Sequence, residues 1–177
     1  YLEPLLYSRD FMHLAEISRI VKVPHATSRK YLNHLEKDGI LIKKYQGRLT
    51  MYKLNHDNKL ITDYAMIAEK EKLVKVCEDD LLIKEVVSFF HENTDNLALL
   101  FGSTVIGSKK ANDIDILIAG NKKLAEKKRL EVKLNKNVHI IKVGKLDDVT
   151  ESLRQEIKKS HLIINSSEEM IKWILKN

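Results

Sequence analysis

Cysteine occurs once in the 177 residues, at Cys77, so the chain can form no internal disulfide and carries no cysteine-cluster zinc site. Long apolar runs are missing as well, none approaching the roughly 18 residues that a membrane span requires. The first residues lack the charged-then-apolar pattern of a secretory leader, and a cytoplasmic location is the expectation. Nor is there a disordered tail: 44% of the residues are hydrophobic and 32% charged, ordinary values for a soluble globular chain. This length accommodates one large domain or two small ones. Acidic residues are scarce in one place. Between Arg19 and Lys53 nine cations face only Glu36 and Asp38, a local excess of +7 against a whole-chain net charge of +6. The remainder sums to about −1, and such a concentration of positive charge points to a polyanionic partner.

The same stretch, "HLAEISRIVKVPHATSRKYLNHLEKDGILIKKYQGRLTMYKLN", reads as helix, turn, helix and hairpin. Leu14, Ile17 and Val21 recur at helical spacing over residues 13–22. Pro24 suits the start of a second helix, which turns Tyr31, Leu32 and Leu35 inward and closes at Gly39. Ile40, Leu41 and Ile42 follow, and Gly47 separates two alternating segments as in a hairpin. Residues 1–58 resemble a winged helix-turn-helix domain of the kind found in many small prokaryotic transcription regulators. The resemblance implies DNA binding, with the second helix entering the major groove. His25, Thr27, Arg29, Lys30 and Asn33 lie on or beside the helix face that the core leaves over, and the wing offers Lys43, Lys44 and Arg48 to phosphates. Residues 59–77 read as a linking helix, with Leu60, Tyr64, Ile67 and Val74 forming an apolar stripe. Winged-helix regulators commonly dimerise through such a helix, and a homodimer is the expectation.

From residue 78 to 177 helical and strand patterns alternate: helix "DDLLIKEVVSFFHEN", strand "LALLF", a Gly-Ser step, strand "DIDILIA", helix "LAEKKRLEVKL", strand "VHIIKV". The chain ends in helix, strand and helix. The fold class expected for the whole chain is α+β, a mostly helical winged unit followed by a mixed sheet with helices packed on it. Asp113 and Asp115 open one strand. Residues two apart share a strand face, their α-carbons about 6.5 Å apart, so two like charges stand together unless a cation joins them. Hard oxygen ligands in this arrangement suit magnesium, which takes one or two carboxylates and completes its shell with water and phosphate. Gly102 and Ser103 supply the complement, a glycine that lets phosphate approach the backbone and amides that open a helix.

Strand, Gly102-Ser103, Gly107, then Asp113-x-Asp115 opening a strand resembles the nucleotidyltransferase superfamily that includes DNA polymerase β, and in particular its minimal single-domain members. The resemblance implies that Asp113 and Asp115 are catalytic and hold Mg2+ or Mn2+, and that Gly102, Ser103 and Gly107 bind a nucleoside triphosphate. It implies two-metal transfer of a nucleoside monophosphate with loss of pyrophosphate. Proteins with a helix-turn-helix ahead of such a domain form a recognised prokaryotic group. Minimal members often pair with a small helical partner protein in toxin–antitoxin systems. Two departures stand out. The strand that carries the third carboxylate in the family has His139 at that position, where imidazole suits manganese or zinc better than magnesium. Glu131 could substitute only if that strand began earlier, and "LEVKL" reads as helix. The arginine usual before the second glycine is Ile106. These departures leave room for an alternative, a DNA-binding regulator whose transferase-like domain senses a nucleotide or only dimerises. Cys77, His91 and Trp173 read as packing residues.

Overall fold

A computed structural model describes residues 2–8, 10–108, 111–121 and 127–175 of the chain. Two compact units emerge, Tyr1–Ala68 and Glu69–Asn177. The first contains helix α1 (Glu3–Leu6), strand β1 (Met12–His13), helices α2 (Leu14–Ile20) and α3 (His25–Lys37), and strands β2 (Leu41–Gln46) and β3 (Leu49–Leu54). Its three strands pair antiparallel in the order β1-β3-β2. α2 packs against α3, burying Leu14, Ile17, Ser28 and Leu32. Pro24, whose missing N–H costs nothing at a helix start, flanks the first turn of α3. Gly39 ends it at φ +71°, with Gly39 N bonded to Glu36 O and Ile40 N to Leu35 O, the paired bonds of a left-handed helix stop. Gln46 pairs with Leu49 across a two-residue turn whose first residue, Gly47, has φ +61°.

One inward expectation is corrected here. Tyr31 is 50% exposed, because it stands one residue off the stripe that Ser28 and Leu32 bury. In helix α4 (Ile61–Asp79) Ile61, Ala65 and Leu73 are buried, whereas Ile67 and Val74, with Leu60 just ahead of the helix, are more than half exposed. The division between the units falls within α4.

The second unit continues with α5 (Leu81–Asn93), β4 (Leu97–Phe101), α6 (Ser103–Gly107), β5 (Asp113–Ala119), α7 (Lys127–Leu134), β6 (Asn137–Val143), a short 3-10 turn (Leu146–Asp148), α8 (Glu151–Lys159), β7 (His161–Asn165) and α9 (Ser167–Leu175). The class is α+β, as the sequence indicates. Residues 124–126, expected to open α7, and Lys176, expected to end α9, lie outside the described residues. The sheet runs β6-β5-β4-β7, with β5 and β6 parallel and the other pairs antiparallel. A parallel neighbour needs a crossover connection, which α7 supplies. Ile114, Ile116 and Ile118 alternate onto one face with Leu100, Val138 and Leu162, and pack against Val86, Phe90 and Leu130 of α5 and α7. Asp113 and Asp115 therefore stand on the other face. Trp173 is buried and Cys77 packs half-buried against the core, while His91 is exposed with Nε2 3.4 Å from Ile164 O. Among the described residues no helix is long and apolar enough to cross a membrane.

His161, at the start of β7, is 1% exposed and its Nδ1 donates to Ile157 O at 2.7 Å. Burial, with the Lys72 ammonium adding to it, pushes its pKa down to about 3, and Glu69 Oε1 at 3.7 Å does not offset this. The folded imidazole is neutral where the unfolded one takes up a proton, so its contribution to stability is complete above pH 6.5 and is lost as pH falls toward 3. Chemical denaturation at pH 6.5 and pH 5 should show a loss of about 2 kcal/mol that a His161→Gln variant lacks. An equal pH dependence in both proteins would contradict this assignment.

Candidate active site

A single rung of the sheet brings the site together. Asp115 on β5 pairs with Phe101 on β4 and, on its other side, with His139 on β6. Paired residues share a face, and His139 Nδ1 lies 3.3 Å from Asp115 Oδ1, donating to it when that nitrogen carries the proton. The Asp115 side chain is 26% exposed and that of His139 65%. Asp113, one turn of the pleat earlier on the same face, is exposed beside Asn137. The carboxylates thus open to solvent, and His139 occupies the strand position where the sequence resemblance expects a third.

The end of β4 explains the Gly-Ser step. Gly102 has φ +73° and ψ −151°, a conformation essentially confined to glycine. A Cβ built there would stand 3.1 Å from Asp115 Oδ2, so the bare α-carbon is what leaves that oxygen room. Gly102 N donates to Ser160 O at 3.3 Å, fixing the bend to the residue before β7. Ser103 and Gly107 are exposed on α6, as is Ile106, whereas Thr104 is buried and its Oγ1 donates to Asp113 O at 2.8 Å. That bond ties the first turn of α6 to the start of the aspartate strand. The far end of α6 is held by Ser108, fully buried, whose Oγ donates to Asp80 Oδ2. The other oxygen of Asp80 accepts from Leu82 N at 3.1 Å and Ile83 N at 3.2 Å, capping α5. Lys136 Nζ donates to Ala111 O, two residues before Asp113.

Glu131 does not face the aspartates. It lies on α7, and its Oε1 accepts from Val138 N at 3.1 Å; that amide, reinforced by Lys127, holds its carboxyl below the usual range. Among the described residues no group of three or more His, Cys, Asp or Glu side chains is arranged to hold a metal ion. Asp113 and Asp115 supply two hard anionic oxygen donors at the solvent-facing end of one sheet face, whose further positions Leu117 and Ala119 are buried. That donor set fits a divalent cation which takes most of its shell from water and phosphate oxygens.

On the first unit, His25, Thr27, Arg29 and Lys30 are exposed along α3, and Arg48 is exposed in the hairpin turn. A surface groove follows α3 past Thr27, Lys30, Tyr31 and His34. Asn33 and Lys43 have another task. Asn33 Oδ1 accepts from Lys43 Nζ at 3.2 Å and from Tyr52 Oη at 2.9 Å, and Lys43 also meets Glu36 at 3.1 Å. The bond to Glu36 raises the Lys43 pKa. These side chains lock α3 onto the hairpin. Lys44 sits 4.0 Å from the centre of the Phe11 ring. Sequence reasoning missed Asp80, Thr104, Ser108 and Ser160. Only Asp80 carried a legible signal, as an acidic residue immediately before an apolar helical run.

The profile of the nucleotidyltransferase domain matches residues 81–173, more than half of the chain. The chain belongs to the nucleotidyltransferase domain family. Gly102, Ser103, Asp113, Asp115 and His139 all fall inside the nucleotidyltransferase match. No curated protein matches the chain. Among solved structures, a toxin–antitoxin complex with AMP-PNP shows 19% identity and a TM-score of 0.41, over 52% of this chain and 81% of its own. A mutant of the toxin–antitoxin MntA-HpeT gives the same identity and TM-score, over 52% of this chain and 80% of its own. TrmBL2, an archaeal chromatin protein described as having a novel mode of DNA binding, shows 17% identity and a TM-score of 0.27, over 88% of this chain and 63% of its own. Likenesses this distant carry no argument about function.

Proposed function

We propose that the protein transfers a nucleoside monophosphate from a nucleoside triphosphate to an acceptor hydroxyl. In this reading the transferase domain spans residues 78–177, joined through residues 59–77 to a DNA-binding winged helix at 1–58. The observation that carries it is the bare Gly102 α-carbon beside Asp115 Oδ2, because a bend built around a partly solvated carboxylate at the start of β5 serves a ligand and not a core. Asp113 and Asp115 would hold Mg2+ or Mn2+, which when bound neutralises phosphate charge and steadies the leaving pyrophosphate. Gly102 and Ser103, with Gly107 at the other end of α6, present backbone and hydroxyl to the phosphates. His139 flanks the acceptor, whose hydroxyl gives up its proton to solvent as its oxygen bonds to the α-phosphorus, the bond to the bridging oxygen breaks and pyrophosphate departs. Incubation with α-labelled nucleoside triphosphates, Mg2+ or Mn2+ and candidate acceptors should yield labelled product. Absence of transfer together with absence of triphosphate uptake at millimolar concentration would overturn the reading.

His139 at the expected place of a third carboxylate favours a second reading, a regulator whose domain retains nucleotide binding without transfer. Triphosphate uptake without label transfer, together with tight binding of a short palindromic duplex, would decide for it.

The DNA contact has its own test. Arg29→Ala with Lys30→Ala should weaken duplex binding by about tenfold or more, since both side chains are exposed on α3. Binding through six phosphates would fall by about a thousandfold between 50 and 200 mM salt. Unchanged affinity in the double variant would remove α3 from the interface. Asn33 and Lys43 contribute chiefly by holding α3 in place.

A further inference from the structure

His161 is a buried titratable group that the transfer reading does not use. It shares one rung of the sheet with the site: His161 pairs with Phe101, Phe101 with Asp115, and Asp115 with His139, so the four side chains lie on one face. Exposure falls along that rung, from 65% for the His139 side chain and 26% for Asp115 to the buried Phe101 and His161. The His161 ring stands beside α4. Glu69 Oε1 lies 3.7 Å from its Nε2, and the same oxygen is 3.7 Å from Lys72 Nζ.

The short bond of the ring runs to α8. The last four carbonyls of a helix find no partner within it, and that of Ile157 is one of them. Ile157 O can only accept, so the proton of the neutral imidazole sits on Nδ1, 2.7 Å away. Ile157 is fully buried, and an apolar side chain at position 161 would leave its carbonyl unpaired.

Between the helix and the ring stands Ser160, which holds both backbone groups of Gly102. Gly102 N donates to Ser160 O at 3.3 Å, and Ser160 Oγ donates to Gly102 O at 3.5 Å. Ser160 is itself extended, at φ −156° and ψ 111°, and its N donates to Glu156 O at 3.4 Å. The Nδ1 bond from His161 to Ile157 O closes the corner around it, so Ser160 is fixed from the helix side and from the strand side. The bend that leaves room for Asp115 Oδ2 therefore hangs from a corner sealed in the core.

We propose that His161 is a positioning residue for the triphosphate site: its imidazole closes the corner between α8 and β7, and through Ser160 that corner sets the Gly102 bend against Asp115. His161 acts through Ser160 and not by contact with the nucleotide. This rests on the reading that the bend receives a triphosphate.

The test uses the full chain at neutral pH, with ATP and MgCl2 as the probe. His161→Leu removes the donor, whereas His161→Asn keeps one at the δ position. Should the Leu form fail to fold, His161→Gln takes its place, because its amide lies one bond beyond that position. Calorimetry on the folded Leu variant should show ATP uptake weakened by about tenfold. Hydrogen exchange of the Gly102 amide should quicken by a similar factor relative to that of Leu117 in the middle of β5. His161→Asn should recover most of both. A role confined to stability would lower the denaturation midpoint and leave the folded protein's ATP affinity untouched. That result, unchanged Gly102 exchange, or an Asn variant as impaired as the Leu one would overturn the inference. Failure of the wild-type protein to take up ATP would instead remove the transfer reading, and the Gly102 exchange comparison would still decide whether His161 sets the bend.

Discussion

Asp115→Asn should reduce nucleotidyl transfer by about a thousandfold or more, equivalent to roughly 4 kcal/mol of transition-state stabilisation. The substitution preserves shape and removes one of the two negative charges at the solvent-facing start of β5. One of the two carboxylate oxygens, either the one that meets His139 Nδ1 at 3.3 Å or the one that Gly102 accommodates, becomes an amide nitrogen, so one of these contacts changes along with the charge. Stability should change by less than about 1 kcal/mol, because the carboxylate is partly solvated and its imidazole partner mostly so. Single-turnover label transfer with matched denaturation curves separates the two effects. A variant that folds normally and transfers at the wild-type rate would show that Asp115 holds no metal.

Gly102→Ala should be the second most damaging change. Alanine at φ +73° and ψ −151° is strained by about 1–3 kcal/mol, and its methyl carbon arrives 3.1 Å from Asp115 Oδ2. Either the bend relaxes, loosening the bond from Gly102 N to Ser160 O, or the carboxylate turns away. Displacement of a reacting group by an ångström commonly costs a hundredfold in rate, and transfer should fall by about that factor. Gly107 gives the contrast for stability, since a Cβ there meets nothing within 4 Å. Denaturant titration of both alanine variants alongside transfer rates checks this. A Gly102→Ala protein as stable and as active as wild type would refute the link between backbone strain and the carboxylate.

Features governed by neighbours along the chain were legible in the sequence alone. The strand at "DIDILIA" appears with those seven residues, the glycine stop of α3 falls at Gly39, and the hairpin turns at Gly47, each fixed by alternation or by a positive φ. The register that sets His139 against Asp115 was approachable because β6 directly follows a helical crossover. Legibility ended where choices depended on distant residues. Helical periodicity in α4 fits two neighbouring stripes equally well, and tertiary packing selected Ile61 and Ala65 over Leu60 and Ile67. Nothing local announces that Asn33 and Lys43 spend their polar atoms on each other and on Tyr52 and Glu36, or that Ser108 reaches an aspartate 28 residues away.

The two-handed grip of Asp80 has a dynamic consequence. One carboxylate closes the first turn of α5 and also moors the trailing end of α6. A five-residue helix on a glycine bend would ordinarily fray on its own, among the softest parts of a domain. Here its fluctuations are shared with a thirteen-residue helix rooted in the core, so the Gly102 bend is steadied by a well-packed element of its unit.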